Sequence, residues 1–153
     1  MNTPRNCWPV LADKARDVVT QRKQELAEAL ARVDQLHASR ARLMRLYDDY
    51  RQREAQPITD GAGMHHQANH RQFISQLLTL RERVDHDIAR AQSVVAQQRA
   101  KLVDAEVELR KMEALVENEQ RALRAAQQKL EQRQFDAVAT AQFNARRAAA
   151  VKA

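Results

Sequence analysis

Three of the five histidines of this 153-residue chain, His65, His66 and His70, lie within "HHQANH". His66 and His70 are four residues apart, so on a helix their imidazoles share one face, a spacing that suits a transition metal. A metal site needs further donors. No cysteine lies close, and the nearest carboxylate, Asp60, sits across two glycines, Gly61 and Gly63. The cluster therefore reads as a solvated loop and helix start, and no metal is expected. The same glycines, in "DGAGMHH", lack the spacing and the following Lys-Ser/Thr of a phosphate-binding loop. Cys7-Trp8-Pro9 sets a thiol beside an indole, but so near the N-terminus it reads as a loose contact rather than a reactive centre. The remaining carboxylates are spread at intervals that fit i,i+4 pairing with Lys and Arg on solvated helix faces. No residue set for catalysis or for a cofactor emerges, and the chain is not expected to be an enzyme.

Composition explains this absence of chemistry. The chain has two glycines, three prolines and 4% aromatic residues, and Ala, Gln, Glu, Arg and Leu dominate. This is the composition of long helices, whose burial comes from a seam rather than a layered core. A single cysteine makes no internal disulfide, which points to a reducing compartment. The first residues lack the apolar run of a signal peptide, and no stretch approaches the roughly 18 apolar residues of a membrane span. The expectation is a cytoplasmic protein with no direct membrane insertion.

The elements follow from periodicity. After Pro9, apolar residues recur at Leu11, Ala15, Val18, Val19, Leu26, Val33, Leu36, Leu43 and Tyr50, with Leu30 and Leu46 at half-steps. This is a seven-residue repeat with small slips of phase. Further on, Ile88, Val95, Leu102, Leu109, Val116, Leu123 and Leu130 fall at strict seven-residue intervals. Their companions Val84, Ala91, Gln98, Ala105, Met112, Glu119 and Ala126 are mostly smaller or polar. An unbroken heptad of this length predicts a left-handed coiled coil. Pro57 and Asp60-Gly61-Ala62-Gly63 interrupt the pattern. The expected fold is all-α: a long antiparallel two-helix coiled-coil hairpin forming one domain over 1–153. Helix 1 is placed at about 10–55, the hinge at about 56–67 and helix 2 at about 68–147.

A turn near residue 62 sets Leu11 opposite roughly residue 113 and leaves about 45 Å of helix 2 overhanging helix 1. Charge concentrates near the ends. The whole chain carries +6, residues 1–25 carry +2, residues 121–153 carry +5, and the middle carries −1. An apolar stripe without a partner in so basic a segment is an interaction surface or a site of self-association. Nucleic acid is not the expected partner. Arg40, Arg42, Arg45, Arg51 and Arg53 are interleaved with Asp48, Asp49 and Glu54, and no aromatic platform accompanies them.

Three segments carry a family resemblance: "LMRLYDDYRQR" at the end of helix 1, "HRQFISQLLTLRERV" at the start of helix 2, and "LEQRQFDAVATAQFNARR" near the C-terminus. In this order they resemble the flagellar FliJ family, the stalk-like coiled-coil component of the type III export apparatus. A related stalk protein serves virulence-type secretion systems. The resemblance implies a protein that engages the hexameric export ATPase with the end carrying its termini, contacts the cytoplasmic domain of the export-gate membrane protein, and cycles empty export chaperones. It implies a cytoplasmic protein peripherally associated with the inner face of the membrane. By position it assigns the gate contact to Ser39, Leu43, Leu46 and Tyr50 of helix 1 with Phe73, Leu77, Leu80 and Val84 of helix 2. Each set steps by four, three and four, which keeps it on one face. Where the family commonly has a second tyrosine, this chain has Leu46, and Tyr47 lies one step round the helix. The same residues have the spacing of an intramolecular seam, so both roles stand open. For the ATPase, Leu123, Leu130 and Phe135 would pack while Arg124, Arg133, Arg146 and Arg147 meet acidic loops. The alternatives are a free-standing export chaperone that holds unfolded substrate on its apolar stripes, and a basic coiled coil that binds nucleic acid.

Overall fold

The computed structural model describes residues 7–56 and 63–152. The hinge residues Pro57, Asp60, Gly61 and Ala62 lie outside this set. Two helices make up the described chain, α1 (Cys7–Glu54) and α2 (Gly63–Val151), with no strand among the described residues. The fold is all-α, as the composition predicts.

Both helices extend beyond the expected limits. α1 begins at Cys7 and carries Pro9 in its first turn, where the missing N–H would have had no intrahelical acceptor. Arg51 and Arg53 in its last turn favour the negative end of the helix dipole. The helix then closes through Ala55 N–H to the Arg51 carbonyl and Gln56 N–H to the Arg53 carbonyl, each 3.3 Å. α2 starts at Gly63 and includes His65 and His66. Beyond that glycine it meets neither Gly nor Pro in its remaining length, so no backbone signal stops it.

The chain divides into two compact units, one spanning Val18–Ala105 and one made of Met1–Asp17 with Glu106–Ala153. In the Val18–Ala105 unit the helices pack antiparallel. Arg40 Nε donates to Asp85 Oδ1 at 2.6 Å, and Tyr50 meets Phe73 with ring centroids 4.4 Å apart. Val19, Leu36, Leu77, Ile88, Val95 and Ala105 are its buried apolar residues. In the other unit Ala12 is the buried residue of α1. It lines a shallow groove with Pro9, Arg16, Glu113, Val116 and Gln120. Arg16 stands across from Glu113 at 3.5 Å. Pro9 and Ala12, on either side of Leu11, thus line one groove with Glu113 and Val116, within about one helical turn of the expected pairing of Leu11 with roughly residue 113.

The seam of α2 extends the predicted heptad toward the N-terminus of the helix and stops at Leu123, short of the expected Ala126 and Leu130, which are exposed. Every position from His70 through Ile74, Leu77, Arg81 and Val84 to Leu123, stepping by four and three, is buried or half-buried. The seam of α1 differs from expectation. It has no phase slips: Ala12, Ala15, Val19, Arg22, Leu26, Ala29, Val33, Leu36, Arg40, Leu43, Tyr47 and Tyr50 step strictly by three and four, and all are at least half-buried. Leu11, Val18, Leu30 and Leu46 are exposed beside it. Arg22 and Arg40 hold seam positions because the stem of an arginine can lie along apolar surface while its head reaches the flank. Arg22 bonds Glu25 at 2.8 Å and Arg40 bonds Asp85, so both heads are paired.

Outside the seam, helix faces are held by short-range ion pairs: Asp13–Arg16, Asp87–Arg90, Glu108–Lys111 and Glu117–Arg121. Each adds a few tenths of a kcal/mol at most. Stability thus rests on the seam, and two leucines three residues apart separate the contributions. Leu77 is 4% exposed and Leu80 is 42% exposed. Leu77→Ala should lower the free energy of unfolding by about 2–4 kcal/mol. Leu80→Ala should lower it by about 0.5 kcal/mol or less. Urea unfolding followed by circular dichroism measures both, and equal losses would contradict the seam described.

Candidate interaction surfaces

No group of three His, Cys, Asp or Glu is arranged among the described residues to hold a metal ion, and no helix there is long and apolar enough to cross a membrane. Cys7 is exposed and free. What the two units offer is side-chain surface.

In the Val18–Ala105 unit, the residues assigned to the gate contact separate into two groups. Leu43, Tyr50, Leu77 and Val84 occupy seam positions, and Leu77 is the most buried of them. Leu46, Phe73 and Leu80 each immediately precede a seam residue, namely Tyr47, Ile74 and Arg81. In an antiparallel pair, equivalent flanking positions of the two helices come to the same side. The electrostatics agree with this register. Glu25 and Lys101 hold the same type of position, and the Glu25 carboxyl is held below its usual range first by the hydrogen bond from Arg22 and also by Lys101 across the pair. Leu46 and Leu80, 39% and 42% exposed, thus lie on one flank with the half-buried Phe73. Ser39 sits on that flank too, half-buried, and accepts a hydrogen bond from Arg42 at 3.2 Å.

Tyr50 ties this flank to the seam. Its ring packs against Phe73 and stacks on His70, with centroids 5.5 Å apart and planes 29° from parallel. The Arg53 guanidinium lies 5.5 Å from the same ring. Tyr50 and Phe73 are therefore part of the intramolecular packing and also border the exposed leucines. Tyr47 escaped the sequence reading. It is a seam residue whose hydroxyl accepts a hydrogen bond from Arg51 at 3.1 Å. The available signal was its place seven residues after Arg40, which an apolar-only pattern passes over.

In the other unit, Leu123 is the last half-buried residue of α2, and all of residues 124–152 are exposed. Leu130, Phe135, Val138, Phe143 and Val151 are the large apolar residues in this stretch, and Phe135 is 75% exposed. Arg124, Arg133, Arg146 and Arg147 share it. Leu130 continues the seam row of Leu123. At about 100° per residue, Phe135 and Phe143 fall well round toward the other side of the helix, one turn either side of Ala139. Phe143 was absent from the predicted contact set and belongs with Phe135 by this spacing.

The ring contact is open to a direct check. A double-mutant cycle with Tyr50→Leu and Phe73→Leu should return a coupling of about 0.5–1.5 kcal/mol in unfolding free energy. A coupling near zero would mean that the two rings do not pack in solution.

Comparison with known proteins adds one match. The family model described as Flagellar FliJ protein matches residues 10–148. No curated protein and no solved structure matches the chain.

Proposed function

The chain belongs to the flagellar FliJ family, and from that premise we propose that it is a non-enzymatic stalk component of flagellar type III export, binding the hexameric export ATPase through one unit and the export-gate protein through the other. The observation that carries this reading is the bare stretch of α2 after Leu123, basic and apolar at once. Apolar side chains on widely separated faces of a single helix, Leu130 on one and Phe135 with Phe143 on the other, suit a partner that surrounds the helix. A ring-shaped ATPase is such a partner. Leu123, Leu130 and Phe135 would pack inside it, and Arg124, Arg133, Arg146 and Arg147 would face acidic loops, setting orientation and speeding docking more than adding affinity.

For the gate protein, the flank of Leu46, Phe73 and Leu80, with Tyr50 at its border, is the surface we assign. Leu43, Leu77 and Val84 support it from the seam beneath. Peripheral membrane association then follows from binding the gate, since no helix of the described chain is suited to insertion.

Hydrolysis by the cognate ATPase, measured with and without the full-length protein, tests the reading. Activation is expected at about one copy per ring. Arg133→Glu with Arg146→Glu and Arg147→Glu should weaken it about tenfold or more and flatten its salt dependence. Leu46→Ala with Leu80→Ala should leave ATPase activation intact and weaken binding to the cytoplasmic domain of the gate protein. Absence of activation and of a complex would overturn the ATPase assignment. Unchanged gate binding in the leucine variant would overturn the other.

A further inference from the structure

Where α1 ends and α2 begins, a histidine sits in the seam itself. His70 occupies the seam position preceding Ile74 and Leu77, and its side chain is 17% exposed. Its ring stacks on Tyr50, and its Nε2 is shielded from solvent without a hydrogen-bond partner. The nearest carboxylate oxygen is Glu54 Oε2, 3.8 Å away, on the last residue of α1. That gap is too long for a hydrogen bond from a neutral imidazole, yet short enough to close by a small side-chain rotation. We propose that His70 and Glu54 form a proton-operated latch, in which protonation of the imidazole draws the end of α1 onto α2 and deprotonation lets that end fray.

The physical logic is local. In the arrangement observed, His70 Nε2 is unsatisfied in a shielded place, which costs free energy. A protonated His70 gives that nitrogen a charged acceptor, and charge-assisted hydrogen bonds are the stronger kind. Other groups set the balance. His70 and Glu54 share a hollow of about 360 Å³ with Tyr50 and Arg53 from α1 and with His66 and Gln67 from α2. Arg53, held over the Tyr50 ring, and His66 when protonated oppose a positive charge on His70, while Glu54 favours it. Of the residues lining the hollow, Glu54 is the one whose carboxylate stands within ion-pair distance of His70 Nε2. The latch is thus closed when the imidazole is protonated and open when it is neutral. Tyr50 and Phe73 pack against the same imidazole or its neighbour, so the state of the latch also sets how firmly the aromatic border of the leucine flank is held. The latch itself stands whether or not that flank binds the gate protein.

Hydrogen exchange of the full-length protein, corrected for intrinsic rates, tests this at pH about 5.5 and about 8, either side of the ordinary histidine range. Amides in residues 51–56 and 67–73 should be about two- to fivefold better protected at the lower pH, the gain expected for a half-exposed ion pair. His70→Gln and Glu54→Gln should each abolish the difference, and His66→Gln should leave it. Equal protection at both pH values in the unmodified protein would overturn the proposal. So would a pH effect that survives either His70→Gln or Glu54→Gln, or one that disappears in His66→Gln. Circular dichroism confirms that each variant keeps its helix content. Glu54→Gln, at a partly exposed helix end, keeps the test decisive even where His70→Gln perturbs packing.

Discussion

Everything here depends on a seam one side chain wide. Two helices in contact can exclude water only along the line between them, so each contributes one residue every three or four to a strip and nothing more. Seven apolar side chains count as buried among the described residues, two of them alanine, and no polar or charged residue joins them. A strip of this kind tolerates polar occupants because every position lies a short step from solvent. Arg22, Arg40, Arg81 and Gln98 all hold seam positions. They weaken the strip where they fall, but they also mark it. An arginine that must find Asp85 across the pair fits one register, whereas a leucine packs tolerably in several.

The narrowness of the seam also explains the surfaces. A layered protein would cover both sides of each helix, but a pair leaves the flanks open along their length. Leu46 and Leu80 are exposed because no third element among the described residues covers them, and the same reason leaves the α2 rows beyond Leu123 bare. Surfaces for partners need no special construction in such a fold. They need only apolar residues placed one step off the seam, or on a helix that outlasts its companion. The aromatic cluster of Tyr50, His70 and Phe73 joins seam to flank.

Periodicity predicted α2 closely because one column of its seam, from Ile88 through Val95, Leu102, Leu109 and Val116 to Leu123, is wholly aliphatic, and a count of sevens finds it. The α1 pattern looked irregular for a particular reason. Val18 beside Val19, and Leu46 beside Tyr47, offered two candidates for one position, and the arginines at 22 and 40 removed the residues that would have decided between them. Hydrophobicity assigns a residue to the interior by type. Geometry admits any residue whose first few carbons are apolar. The roles of Tyr47 and His70 were hidden by the same rule, since neither appears in a list of aliphatic side chains.

By itself the sequence determined the all-α class, the two-helix arrangement, the break between the helices and the concentration of charge near the chain ends. These follow from composition and spacing along one dimension, where a missing proline or a seven-residue repeat has the same meaning in any context. Tertiary structure decided the register of the pair, the identity of the flank, and the placement of His70 against Tyr50 and Glu54. Those depend on which residue of one helix stands opposite which residue of the other. A repeat of seven is satisfied equally after a slide along the seam, and only the packed side chains, Arg40 on Asp85 and Tyr50 on Phe73 among them, select one position.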